Sequence, residues 1–334
     1  MAPTGDDVHH SVRRDRWLNN SAFVIASVGS AIGLGNFWKF PYLTFKHGGG
    51  FFIAAYAIAL FTAGIPLLIL ELTLGQKMQR GSAGAMRGII PRLAGAGWAA
   101  TLSSFFICMV YNVLIALSLV YMVQGGKQPW AEDTYVRKDG CNTAALKSTS
   151  SAELFFYQDT VKLFGEKTCQ QFDYGEGTVY AWGLYGATFI TWILCFISVI
   201  AGSKSMQYIT MVTVPVKFIC LIALIVFFTG LNNDVDGKGM GFYLGGEQFP
   251  VGTLDDGSTV YYDPKLSRPE IIQDAYIQVL YSVGLGVGIF FSYGSYQHIK
   301  QPVIANSIII CLLDFMFSIL AGLVGWGAIG YLKV

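Results

Sequence analysis

Seven mostly apolar stretches recur along the chain, at 20–45, 51–76, 97–124, 179–201, 207–231, 272–297 and 303–332. A bilayer core needs about 20 helical residues to cross it, and backbone without water must satisfy its own hydrogen bonds. Each stretch therefore predicts a membrane-spanning helix, here spans 1 to 7, within a single transmembrane domain over 1–334. Two long polar segments interrupt the pattern, at 125–178 and 232–271. Within the first, Ser148-Thr149-Ser150-Ser151-Ala152-Glu153 precedes an apolar-patterned run and reads as a helix start inside a loop.

Span 1 carries Gly29, Gly33, Gly35, Asn36 and Pro41 where the chain must cross lipid, and span 6 carries Gly284, Gly286 and Gly288. An interior glycine costs about 1 kcal/mol relative to alanine. Close helix packing accounts for isolated small residues in membrane helices. Two dense clusters five spans apart instead predict two interrupted helices related by an inverted repeat, with unwound backbone binding ions and substrate near the bilayer midplane. The fold class expected is an all-α membrane protein with an inverted-repeat, broken-helix transporter architecture.

Charge sets the orientation. Arg13, Arg14 and Arg16 precede span 1, and Lys77, Arg80, Arg87 and Arg92 separate spans 2 and 3, so both segments are expected in the cytoplasm and both long loops outside. Seven spans with a cytoplasmic N-terminus oppose the orientation of a G-protein-coupled receptor. The 334 residues are 53% hydrophobic and 13% charged, well below the roughly 25% charged of soluble domains. A net charge of +1 gives no field for nucleic acid. The polar N-terminus lacks the features of a cleaved signal peptide. Cys108, Cys195, Cys220 and Cys311 sit in apolar runs as small hydrophobes. Cys141 and Cys169 share the first long loop, where a disulfide could form if that loop is extracellular. Spacing for a metal centre or for Ser/His/acid catalysis is lacking, and no enzyme is expected.

The run Gly33-Leu34-Gly35-Asn36-Phe37-Trp38-Lys39-Phe40-Pro41-Tyr42 is followed by Gly48-Gly49-Gly50, Gly64-Ile65-Pro66 and Glu71-Leu72-Thr73-Leu74-Gly75-Gln76. Together with Tyr111-Asn112, Gln278, Tyr281-Ser282 and Ser295-Tyr296, these motifs resemble the neurotransmitter:sodium symporter family across essentially the whole chain. The resemblance implies a sodium site built by Ala31, Asn36, Ser282 and Asp314, hard oxygen ligands for a hard cation. It implies a second sodium site taking carbonyls of Gly29 and Ile32, with its other ligands on an eighth helix. It places an amino acid carboxylate against Gly33, Leu34, Gly35 and Tyr111 near Ala31, where a half-helix N-terminus favours an anion. The side-chain pocket corresponds to Ile107, Tyr281, Gly284 and Val287. Amine carriers of the family have Asp at the position of Gly33, so Gly33 favours an amino acid substrate, here a neutral one of medium or large size.

The family's chloride site corresponds to Tyr56, Gln278, Ser282 and Ser318, with Asp314 replacing an Asn. An ionised Asp314 would repel chloride and balance sodium itself, so weak or absent chloride dependence is expected. The alternative is a protonated Asp314 acting as a neutral hydrogen-bonding group. Lys39 stands in place of an outer-gate Arg, with Tyr281 as lid, while Arg14, Trp17 and Tyr296 correspond to the inner gate. Glu71 corresponds to the acid that props the two breaks. Ser205 and Pro215 match a spacing that loosens span 5, with Ser in place of Gly, and Lys217 in the same span is left unexplained.

Family members carry about twelve helices built on inverted repeats, so this chain reads as truncated after its seventh span. The function expected is sodium-coupled amino acid symport at the plasma membrane. The competing expectation is a non-transporting binding protein, sensor or partner subunit. The bilayer and a small amino acid are the expected partners. Oligomeric state is left open.

Overall fold

The computed structural model describes residues 16–126, 155–156, 160–161, 181–200, 202–231, 241, 243–244, 250–253, 259–261 and 268–331. Helix α1 (Asn20–Ala31) starts at an Asn19 cap whose Oδ1 accepts the Ala22 N–H at 2.7 Å, a device worth about 1 kcal/mol. A three-residue break follows, then a π-helical turn (Gly35–Lys39) and α2 (Phe40–Lys46). The two halves bend by 50° and together make one broken span. Gly48 and Gly49, with φ of 80° and 60°, turn the chain into α3 (Gly50–Ala59). A second π-helical turn (Leu60–Gly64) joins α3 to α4 (Ile65–Met78).

The two π turns share a cause. Each ends two residues before a proline, Pro41 and Pro66. Lacking an N–H, the proline cannot continue the ordinary ladder. The residue before it bonds five back instead, Phe40 to Gly35 and Ile65 to Leu60. Such bulges turn side chains relative to the rest of a span, and the first lies directly beside the break.

Helices α5 (Ser82–Ile89), α6 (Ala94–Gln124), α7 (Trp182–Val199) and α8 (Ser203–Leu231) follow. A short antiparallel pair, β1 (Pro250–Thr253) with β2 (Thr259–Tyr261), adds to the helices within the second long polar segment. Then come α9 (Arg268–Val283), α10 (Ile289–Ser295) and α11 (Val303–Tyr331). Among the described residues five helices are long and apolar enough to cross a membrane, or six with the bent α1–α2 pair. Span 6 appears as α9 and α10, with Gly284, Gly286 and Gly288 between them at φ of 81°, 81° and 84°. A side chain at any of the three would be strained in that left-handed backbone.

The chain divides into two compact units, Met1–Ser104 with Ala201–Val334, and Phe105–Ile200. The first buries Phe23, Phe40, Phe52, Tyr56, Leu68, Leu72, Val279, Phe290 and Trp326 in one apolar core. Within it α4 lies against α10 with almost no space. A Cβ at Gly75 would collide with the Phe291 carbonyl, and one at Gly294 would sit 2.6 Å from the Leu72 carbonyl. Such glycines let two backbones meet, the packing mode that lipid favours. Large apolar side chains such as Phe61, Ile219 and Ile304 remain exposed on the outside of the spans, as a lipid-facing surface requires. In the second unit, α7 and the C-terminal part of α6 pack together, with Asn112 Nδ2 donating to Thr188 O at 3.4 Å.

Candidate functional site

The break after α1 is built by diverted amides. In a continuous helix the Gly33 N–H would serve Gly29 O and the Asn36 N–H would serve Ile32 O. Here Gly33 N donates to the Asn36 side-chain Oδ1 at 3.1 Å, and Asn36 N to Gly33 O at 3.3 Å. Asn36 thus holds the break open with one end of its amide. The other end enters a buried polar cluster.

Asn36 Nδ2 lies 2.6 Å from Asp314 Oδ1, 2.9 Å from Ser282 Oγ and 2.9 Å from Ser318 Oγ. Ser282 Oγ donates toward both Asp314 oxygens, at 3.1 and 2.9 Å, and Tyr56 OH toward Asp314 Oδ2 at 3.4 Å. Ser318 Oγ donates to Asp314 main-chain O at 3.0 Å. Gln278 Nε2 donates to Gly35 O at 3.2 Å. Asn36, Gln278, Asp314 and Ser318 are fully buried and Ser282 is 5% exposed. Four segments distant in sequence thus converge on one carboxyl group: the π turn after α1, and helices α3, α9 and α11.

These residues fit a monovalent cation. Among the described residues no Lys, Arg or His pairs with Asp314, whereas Lys46 and His47 both pair with Asp274. A buried carboxylate without a cation is costly. The Asn36 amide offers two hydrogens to three oxygens, so the ring is richer in acceptors than in positive charge. The anion-site residues stand differently: Tyr56 and Ser282 donate to the Asp314 carboxylate, Ser318 donates to the Asp314 main-chain carbonyl, and the Gln278 amide is held by Gly35.

The break in span 6 is anchored from two sides. Glu71 Oε1, on α4, accepts the Gly286 N–H at 2.6 Å, and Ser104 Oγ, on α6, donates to Val287 O at 2.6 Å. Gly284 has space around it, the nearest atom to a Cβ being Ile289 Cδ1 at 3.8 Å. The candidate pocket residues Ala31, Gly33, Leu34, Gly35, Tyr281, Gly284 and Val287 all lie in the first unit at or beside the two breaks, while Ile107 and Tyr111 lie in the second, one turn apart on α6.

The candidate gate residues meet in two pairs. Lys39 Nζ lies 4.6 Å from the centre of the Tyr281 ring. Trp17 is 3% exposed, donates Nε1 to Tyr293 O at 2.9 Å, and packs edge-on against Tyr296 with ring centres 6.4 Å apart. Arg14, Cys141 and Cys169 lie outside the described residues.

Two arrangements escaped the sequence. Lys217, on α8, donates Nζ to Gly29 O at 3.3 Å and Ile32 O at 3.0 Å. Asp274, on α9, receives Lys46 Nζ and His47 Nε2, each at 2.8 Å on the same oxygen. A carboxylate in the first turns of a membrane span was a readable signal for the second arrangement. The first gave none beyond an unexplained lysine.

Two broken spans around a buried, cation-fitting carboxylate define a membrane protein of the helix-break transporter class. The chain matches the sodium:neurotransmitter symporter family over residues 14–334, and it belongs to that family, one of symporters and not of enzymes. It is 28% identical over 331 residues to the rat sodium-dependent neutral amino acid transporter B(0)AT2, covering 95% of this chain and 41% of the relative. It is 29% identical over 323 residues to the human sodium- and chloride-dependent transporter XTRP3, covering 95% and 50%. It is 28% identical over 349 residues to the mouse sodium- and chloride-dependent neutral and basic amino acid transporter B(0+), covering 96% and 52%. The chain therefore spans about half the length of the curated relatives it matches.

Proposed function

We propose that this chain serves sodium-coupled symport of a neutral amino acid by alternating access, at the plasma membrane with its N-terminus in the cytoplasm and with little or no need for chloride. The observation that carries the reading is Asp314, fully buried, lacking a basic partner among the described residues and ringed by Asn36, Ser282, Ser318 and Tyr56. Sodium would be held by the Ala31 carbonyl, Asn36, Ser282 and Asp314. The substrate carboxylate would lie against Gly33, Leu34 and Gly35, with its side chain toward Tyr281, Gly284 and Val287. The relatives named for neutral amino acids support the substrate class. The donors that would hold chloride, Tyr56 and Ser282, point at Asp314, which supports an internal negative charge in the anion's place.

The energetics suffice with one ion. A tenfold sodium gradient contributes about 1.4 kcal/mol and a 100 mV potential about 2.3 kcal/mol, enough to concentrate a neutral solute several-hundred-fold. The test is uptake of a labelled neutral amino acid into proteoliposomes holding the protein, with sodium, choline or gluconate replacing the usual ions. The expected result is uptake that needs sodium, survives gluconate and is lost in Asp314→Ala. Uptake unchanged in choline would overturn the reading, and sodium-dependent binding without accumulation would establish the sensor alternative.

A further inference from the structure

The resemblance implies a second sodium ion on the Gly29 and Ile32 carbonyls, and the residues present do not fit it. Both carbonyls are free of helical donors because the Gly33 and Asn36 amides are diverted into the break. They close the C-terminal end of α1, where the helix dipole concentrates negative potential. Lys217 Nζ is already there, 3.3 Å from Gly29 O and 3.0 Å from Ile32 O. Backbone geometry delivers it. Gly29 faces Val214 so closely that a Cβ would lie 2.5 Å from the valine Cγ2. With α1 and α8 in that contact, a lysine one turn beyond Val214 reaches the break. Its stem crosses the half-buried face of α8 and its ammonium supplies hydrogens where a diffusible ion would supply charge.

We infer that Lys217 is a tethered cation that permanently fills the position of a second sodium ion, so that the first site alone binds sodium in each cycle. The inference adds to the symport reading and rests on it for the count of ions. The geometry of Lys217 stands apart from that count. An ammonium fixed to α8 also ties α8 to the end of α1 in every state in which the two carbonyls stay exposed.

The test uses the full chain purified in detergent and followed by thermal unfolding. Lys217→Ala leaves the carbonyls facing open space, whereas Lys217→Met fills the same volume without charge. In choline medium both variants are expected to melt several degrees below the native protein. Methylammonium is expected to restore Lys217→Ala, through preferential binding to the folded state, and to leave Lys217→Met unrestored. Methylammonium is expected to have no effect on the native protein. Equal behaviour of the two variants, or no restoration of Lys217→Ala by methylammonium, would overturn the inference. If Lys217→Ala does not fold, acetylation of the native protein decides. Lys217 is expected to stay unmodified in sodium and in choline alike, and modification that rises in sodium would mean that the ion displaces it. Direct counting of bound sodium is expected to give one ion per chain, and two would count against the tethered cation. Failure of the native protein to bind sodium at all would count against symport, while the methylammonium response still decides the role of Lys217.

Discussion

Glu71 and Gly286 meet at 2.6 Å, a carboxylate from the middle of one span holding an amide that a second span has released by breaking. The amide lies at a left-handed glycine, φ 81°, and has no helical acceptor there. Removing the carboxylate would strand it in the protein interior at a cost of about 1–3 kcal/mol. Glu71→Ala is expected to lower the unfolding midpoint in detergent clearly. Glu71→Gln, which keeps an accepting oxygen, should fall well short of that loss.

Asp314→Asn removes the negative charge from the polar cluster while keeping its shape. Tyr56 and Ser282 would then face a neutral group. Transport or sodium-dependent binding by this variant is expected to become dependent on chloride. Activity compared in chloride and gluconate, for native and variant side by side, reads the change directly.

Gly75 and Gly294 mark where α4 and α10 touch backbone to backbone. A side chain at either position must push the helices apart, and overpacking of this kind costs about 1–3 kcal/mol or more. Gly294→Val is expected to abolish folded protein in size-exclusion profiles of detergent extracts. Gly95→Ala, with nothing within 4 Å of the added Cβ, should be silent.

Lys39 rests over the Tyr281 ring at 4.6 Å, a contact worth about 0.5–2 kcal/mol depending on solvent access. If Tyr281 is the lid over the substrate, Lys39→Gln should speed release of a bound amino acid several-fold with little effect on melting. Lys39→Arg, which keeps a cation that stacks on aromatic faces, should be close to native. Dissociation of a labelled amino acid after dilution measures both.

The broken spans were legible because glycine clusters in lipid have few explanations, and the Asn36, Ser282 and Asp314 set was legible through the family motifs. The internal details were not. Nothing at Lys217 shows that its partners are main-chain carbonyls 188 and 185 positions away, because those carbonyls become acceptors only after the amides of Gly33 and Asn36 have been diverted into the break. The π turns were hidden for a similar reason. Pro41 and Pro66 announce a disturbance, but whether the chain kinks, stops or slips to a wider turn depends on what packs against it. The β1–β2 pair lies in a polar segment whose sequence lacks a strong alternating pattern.

Asp274 holds Lys46 and His47 on one oxygen, joining the C-terminal end of α2 to α9. These are the half-helices on the same side of the two breaks. If either swings on its glycines, the carboxylate must let go of two bases or draw the other half-helix along. The shared oxygen is placed as a crossbar between two levers, coupling the two hinges for as long as both contacts hold.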